Sequence, residues 1–235
     1  MAKIKRTNKN RPSLADLRKI KTKSNFFKRG FQESWNYMKE SRNFIYSIIF
    51  IFLLFALIGF FIPAPAILEQ KILEFIEDLL RKTQGMSSSD LIAFIFFNNL
   101  QSSFLGMVFG IFFGIFSVLT TLANGYVLGF VAAKTVESSG ISVLWRLLPH
   151  GIFELPALFI SLGLGLKLGS FVFRKTVNIL KFLMPLRLKI KDFKFKDHES
   201  LTIYLVKSIK VFLFIIIPLL IIAAIIEGSL IFLLG

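Results

Sequence analysis

The sequence predicts an all-α protein: a polytopic transmembrane helical bundle of about five spans, flanked by interfacial amphipathic helices. Three observations carry this. Apolar residues make up 54% of the 235 residues, 29 of them Phe, and mean hydropathy is +0.69; a soluble chain of this length cannot hide so much apolar surface. Charge-free stretches recur, nineteen residues at Phe44–Ile62 and forty-three at Leu91–Ala133, where about 20 suffice for one crossing. Charge is also segregated. Residues 1–43 hold thirteen Lys/Arg against three acids and 167–210 hold eleven against three, whereas 63–90 hold three basic and five acidic residues.

Basic segments stay on the cytoplasmic side of a membrane. The N-terminus is therefore expected in the cytoplasm of a multi-pass cell-membrane protein, and five crossings carry the C-terminus outside. The net charge of +15 is then a matter of topology and of anionic lipids at the cytoplasmic face, not of nucleic acid. The absence of cysteine excludes thiol chemistry, disulfides and Cys-based metal sites. The first apolar run begins near Phe44, too late and too long for a cleaved signal peptide, and reads as a retained signal-anchor.

Taken in order, residues 1–43 form a basic cytoplasmic segment and 44–235 the transmembrane domain. Ser13–Asp16 has the pattern of a capping box. Phe27, Phe31, Trp35 and Met38 recur at helical spacing among Lys28, Arg29, Glu33 and Lys39, a basic amphipathic helix lying on the inner membrane face or packed against the bundle's cytoplasmic end. The first span, 44–62, ends at Pro63 and Pro65. Residues 66–84 are again amphipathic, with Leu68, Ile72, Phe75, Ile76 and Leu79 on one side and Glu69, Glu74, Glu77 and Asp78 elsewhere, an outer helix resting on the bundle or meeting a partner. Gly85 is a C-cap candidate and Ser87–Asp90 caps the next helix.

The forty-three-residue run suits two crossings, and Asn124-Gly125 marks the expected break, giving spans at 91–121 and 124–139. A fourth span at 147–167 precedes a basic cytoplasmic loop, 168–206, in which 186–196 alternate apolar and basic residues like a short strand or hairpin. The last span, 207–234, carries Glu227 and a kink expected at Pro218.

Two features inside the spans carry information. Gly106, Gly110 and Gly114 recur every four residues, and Gly125, Gly129 and Ala133 repeat the spacing. Such stripes admit a closely packed helix, either as a hairpin of successive spans or as a contact with a second copy. Asn98, Asn99, Gln101, Asn124, His150 and Glu154 form a polar set within apolar surroundings. His150 and Glu154 lie four apart, on one helical face. A carboxylate in hydrocarbon costs about 2.5–3.5 kcal/mol on insertion scales, so it must face the bundle and find partners. Asn98 or Asn99 can donate to it, and Pro149 suits the first helical turn. The set reads either as a latch that fixes helix register or as a site for a proton, ion or substrate. No catalytic residues are assigned: there is no H-E-x-x-H, the other histidine, His198, lies in a loop, and neither metal nor cofactor is expected.

Phe97-Asn98-Asn99, the glycines 106–114, Asn124-Gly125 with Gly129, and the string Leu148-Pro149-His150-Gly151-Ile152-Phe153-Glu154-Leu155-Pro156 resemble the stage II sporulation protein M family over Leu91–Gly169. Glu227-Gly228 fits more loosely. The resemblance implies a five-span protein with a cytoplasmic N-terminus and singles out His150 and Glu154 as a pair. The family's founding member is a scaffold in endospore formers that recruits peptidoglycan-degrading enzymes to the engulfing membrane, and relatives occur in organisms that form no spores. The resemblance thus implies a non-enzymatic membrane scaffold, with a second copy or other membrane and cell-envelope proteins as partners. A small transporter or channel built around His150 and Glu154 is the alternative.

Overall fold

The computed structural model describes residues 14–142, 148–183 and 200–234, with side chains described at 25–142, 151–180 and 200–231. The expected features at Ser13 and 186–196 lie outside the described residues. The helices are α1 (Leu14–Glu40), α2 (Arg42–Phe61), α3 (Ala66–Thr83), α4 (Ser88–Val108), α5 (Ile115–Ser139), α6 (Leu148–Leu183), α7 (Leu201–Val211) and α8 (Ile217–Leu234). Among the described residues five stretches are long and apolar enough to cross a membrane: Arg42–Phe61, Ser88–Ile111, Ile115–Ser139, Gly151–Leu180 and Leu201–Ile231. Apolar side chains alone do not drive helices together in lipid, so close packing of small residues and interhelical hydrogen bonds must hold the bundle.

Two glycine seams do this. A Cβ on Gly125 would sit 2.5 Å from the Phe52 carbonyl oxygen, and one on Gly129 would land on that of Ala56, so α5 runs parallel to α2 at backbone contact. Along the second seam Gly110 lies against Gly165 and Gly169 against Gly110 and Gly114, so α4 runs parallel to α6. The buried Ser161 hydroxyl donates to the Ser103 carbonyl at 2.5 Å and fixes the register. Contacts of α6 with α2 run the other way: Gly163 meets Ile45, and Phe159 meets Phe52 with ring centroids 5.0 Å apart. Antiparallel α8 closes on α4, where Gly228 abuts Ile92, and ahead of α8 Phe212 meets Phe104. The directions alternate as five successive crossings require. Neither stripe joins successive spans, and both are filled by other helices of this chain, not by a second copy.

The structure moves the break between the second and third spans. It lies at Phe112–Gly114, not at Asn124-Gly125, and α5 is a complete span of 25 residues. Gly114 (φ +77°) and Phe113 (φ +56°) take left-handed conformations to turn the chain, which glycine adopts without penalty. The Asn124 amide donates to the Thr120 carbonyl at 2.8 Å and so continues the helix instead of breaking it. Equal division of the forty-three-residue run would have placed the turn correctly.

Helix α6 continues through residue 183, so much of the expected basic loop is helical. The last span begins at Leu201 and widens into a π-turn at Phe212–Ile216, just before Pro218. Proline lacks the N–H that the carbonyl four residues earlier would accept, and the π-turn absorbs that defect.

Of the two settings open to α1, the structure takes packing on the bundle. Phe26 and Phe27 meet Phe214 at 6.5 and 6.0 Å, Lys210 donates to Glu33 at 2.7 Å, and Tyr37 enters the core with Met107, Leu164, Val211 and Ile216. The Lys210 ammonium holds the Glu33 carboxyl below its ordinary value. A depressed carboxylate contributes attachment above its unfolded pKa, about 4.3, and loses it as pH falls through the lower folded value. Proteolysis within α1 is therefore expected to accelerate only below about pH 4, and a Glu33→Gln variant should show no such acceleration.

Helix α3 buries Ile72 and is tied to α5 by Lys134 and Glu69 at 2.8 Å. The Ser87 hydroxyl accepts from the Asp90 amide and caps α4, as its sequence predicts.

Candidate functional site

The polar residues expected to converge are sorted by the fold into two groups. Asn98, Gln101 and Asn124 are exposed on the perimeter of the bundle, while Asn99 and Glu154 are half-buried. The Ser103–Ser161 bond puts Asn98 and Asn99 within a helical turn of Glu154's level, but Asn98 and Gln101 face outward. His150 lies in the first turn of α6, as does Pro149, where a missing N–H is harmless; the His150 side chain lies outside the described ones.

The structure adds a residue to Glu154's end of the bundle. Gly228 of α8 abuts Ile92 of α4, and eleven residues back from the Ser103–Ser161 bond along the parallel α4 and α6 Ile92 stands level with His150, so Glu227 lies near the level of His150. Glu227 is half-buried and next to Gly228, whose contact with Ile92 presses α8 onto α4. Neither Glu154 nor Glu227 is free of partners. Two membrane-embedded carboxylates at one end of the core, Glu227 near the level of His150 and Glu154 about one helical turn along α6, can lock helices together or exchange a proton. Among the described residues no three His, Asp or Glu side chains converge as metal ligands.

A second polar centre occupies the opposite end, and sequence reasoning missed it. Lys167 of α6 donates to the Ser41 hydroxyl at 2.9 Å and sits 3.9 Å above the Tyr37 ring. The Ser41 hydroxyl in turn donates to the Tyr37 carbonyl at 2.7 Å. Lys207 lies 5.7 Å from the same ring, and Tyr204 packs against Phe171 at 4.8 Å. Three helices and the α1–α2 junction are thus joined around one buried tyrosine. Lys167 reads in sequence only as the positive charge that ends a span, and the burial of Tyr37 is visible only in the structure.

Comparison with known proteins gives a family and one relative of note. A family model described as stage II sporulation protein M matches residues 48–230. The chain is 30% identical over 189 residues to an uncharacterized protein of Methanocaldococcus jannaschii, covering 80% of this chain and 78% of that one. No solved structure matches it.

Proposed function

This chain belongs to the stage II sporulation protein M family, and from that premise we propose that it is a non-catalytic membrane scaffold that holds a partner protein at the outer face. In this reading the basic end of the bundle, with α1, Lys167 and Lys210, lies in the cytoplasm, and α3 lies outside. The observation that carries the proposal is α3 itself. A core locked at backbone contact along two seams presents an amphipathic helix whose Ile67, Phe75 and Leu80 remain 75%, 56% and 58% exposed. On the same helix Glu69, Gln70, Glu74 and Glu77 line a shallow acidic groove. Exposed apolar anchors on a helix that also carries an acidic groove are what a protein interface of moderate strength requires.

A photoreactive residue at Phe75 or Leu80 is expected to yield protein adducts in native membranes, suppressed by the double change Glu74→Lys, Glu77→Lys. The same probe at Phe97, exposed on α4, should capture lipid only. Lipid adducts alone at all three positions would end the scaffold reading for α3.

The half-buried Glu154 and Glu227 favour the second reading, a small transporter or channel. Proteoliposome flux of protons, cations or small anions that disappears in a well-folded Glu154→Gln variant would establish it in place of a pure scaffold.

A further inference from the structure

A cavity of about 240 Å³ opens between α1 and α7, apart from the two carboxylates of the core and from α3. Lys210 on α7 and Glu33 on α1 are joined across it at 2.7 Å, and Lys207 on α7 and Glu40 on α1 add a charge of each sign to its lining. Its base is formed by Ser34 and Tyr37, only 1% and 3% exposed. The Ser34 hydroxyl has no hydrogen-bond partner among the described residues. A buried hydroxyl left unpaired costs about 1–3 kcal/mol, and this one belongs to a residue at the base of a polar cavity. Since a water's share of liquid is about 30 Å³, the space admits a group of several heavy atoms and is too small for a drug-sized ligand.

The depth of the cavity is set by its neighbours. Glu40 is followed after one residue by Arg42, where the first span begins. The other flank of α1 carries Phe31 and Trp35, exposed and stacked at 6.2 Å, with Lys39 over the Trp35 ring. Aromatic and basic residues together mark the headgroup layer of a bilayer.

From these features we infer that the cavity is a binding site for a headgroup that joins a phosphate to a primary ammonium, of the phosphoethanolamine type. A simple anion gains at the lysine wall what it loses at the glutamate wall. A group carrying both charges meets Lys207 and Glu40 each with its opposite, beside the closed Lys210–Glu33 pair, and its phosphate or ammonium lies over the Ser34 hydroxyl. The exposed rim and the membrane depth make a phospholipid of the basic-side leaflet the source.

The test reconstitutes the full chain in nanodiscs of phosphatidylcholine containing minor, equal amounts of phosphatidylethanolamine and phosphatidylglycerol, and measures the lipids retained by native mass spectrometry. The wild type is expected to retain phosphatidylethanolamine preferentially. Lys207→Gln and Glu40→Gln should each lower that preference about tenfold, the worth of one charge-assisted hydrogen bond. Ser34→Ala, the mildest change, should lower it by a smaller factor, and Lys39→Gln on the other flank should leave it unchanged. Displacement by soluble O-phosphoethanolamine would show that the headgroup alone is read, from a free source as well; its failure would show that the acyl chains contribute. Retention of phosphatidylglycerol over phosphatidylethanolamine, or a preference unaltered in Ser34→Ala together with folded Lys207→Gln and Glu40→Gln, would overturn the inference. None of these outcomes depends on whether α3 binds a partner.

Discussion

Replacing Gly169 with valine is expected to abolish the folded protein. A Cβ there would fall on the Gly114 amide nitrogen and the Gly110 carbonyl oxygen. Overpacking costs about 1–3 kcal/mol where side chains can rearrange. Here the obstacle is backbone of the neighbouring turn, and that turn is already held in left-handed geometry at Phe113 and Gly114. Relief requires α4 and α6 to separate along the whole seam, which loses the Ser161–Ser103 bond and the approach of Gly110 to Gly165. Against a total stability of about 5–15 kcal/mol, the variant should give no monodisperse protein on fluorescence-detected size exclusion. Gly151→Ala is the matched control, since its Cβ would meet nothing nearer than the tip of Leu155 at 3.2 Å, and alanine favours the helix by about 1 kcal/mol over glycine. A Gly169→Val protein that melts like the wild type would refute the seam.

Lys167→Met is expected to release α1 while leaving the spans assembled. Methionine keeps the apolar stem but loses the ammonium that bonds Ser41 and covers Tyr37. A desolvated cation–π contact is worth about 2 kcal/mol and a hydrogen bond to a charged group about 1.5–3 kcal/mol. The two share one ammonium and do not add, so a loss of about 2–3 kcal/mol is expected. Limited proteolysis should cut within α1 well before the melting transition of the bundle. Ser41→Ala, which spares the contact with Tyr37, should do less. Equal protection of α1 in wild type and Lys167→Met would show that the Phe26, Phe27 and Phe214 rings and the Lys210–Glu33 pair hold it without Lys167.

Much of the architecture was legible because a membrane reduces it to length and charge. The first span is expected at 44–62 and found at Arg42–Phe61, and the amphipathic helix that follows it is expected at 66–84 and found at Ala66–Thr83. The turn between the second and third spans was not legible, because Gly114 and Gly125 look alike in sequence. One turns the chain and the other receives a neighbouring carbonyl, and only the partner helix tells them apart. Asn124 misled for a similar reason: in a helix its amide finds the Thr120 carbonyl, which periodicity does not show.

The polar set was legible as residue types and not as an assembly. Burial in lipid makes any carboxylate conspicuous, so Glu154 stands out. Glu227 enters its neighbourhood only because α8 returns antiparallel and Gly228 lets it close on Ile92. Around Tyr37 nothing in the local pattern announces that Lys167, more than a hundred residues away, will cover its ring.

The sequence by itself determined that the chain crosses a membrane, about how many times, and which ends carry the basic charge. Those properties follow from the transfer of each segment between water and hydrocarbon, which depends on that segment alone. Tertiary structure decided which helices touch, where the glycines are used, and which polar side chains share a level or a cavity. Lipid is as apolar as the side chains it meets, so hydropathy cannot choose a partner for a span. Close fit at particular small residues makes that choice, and fit is a property of two surfaces at once.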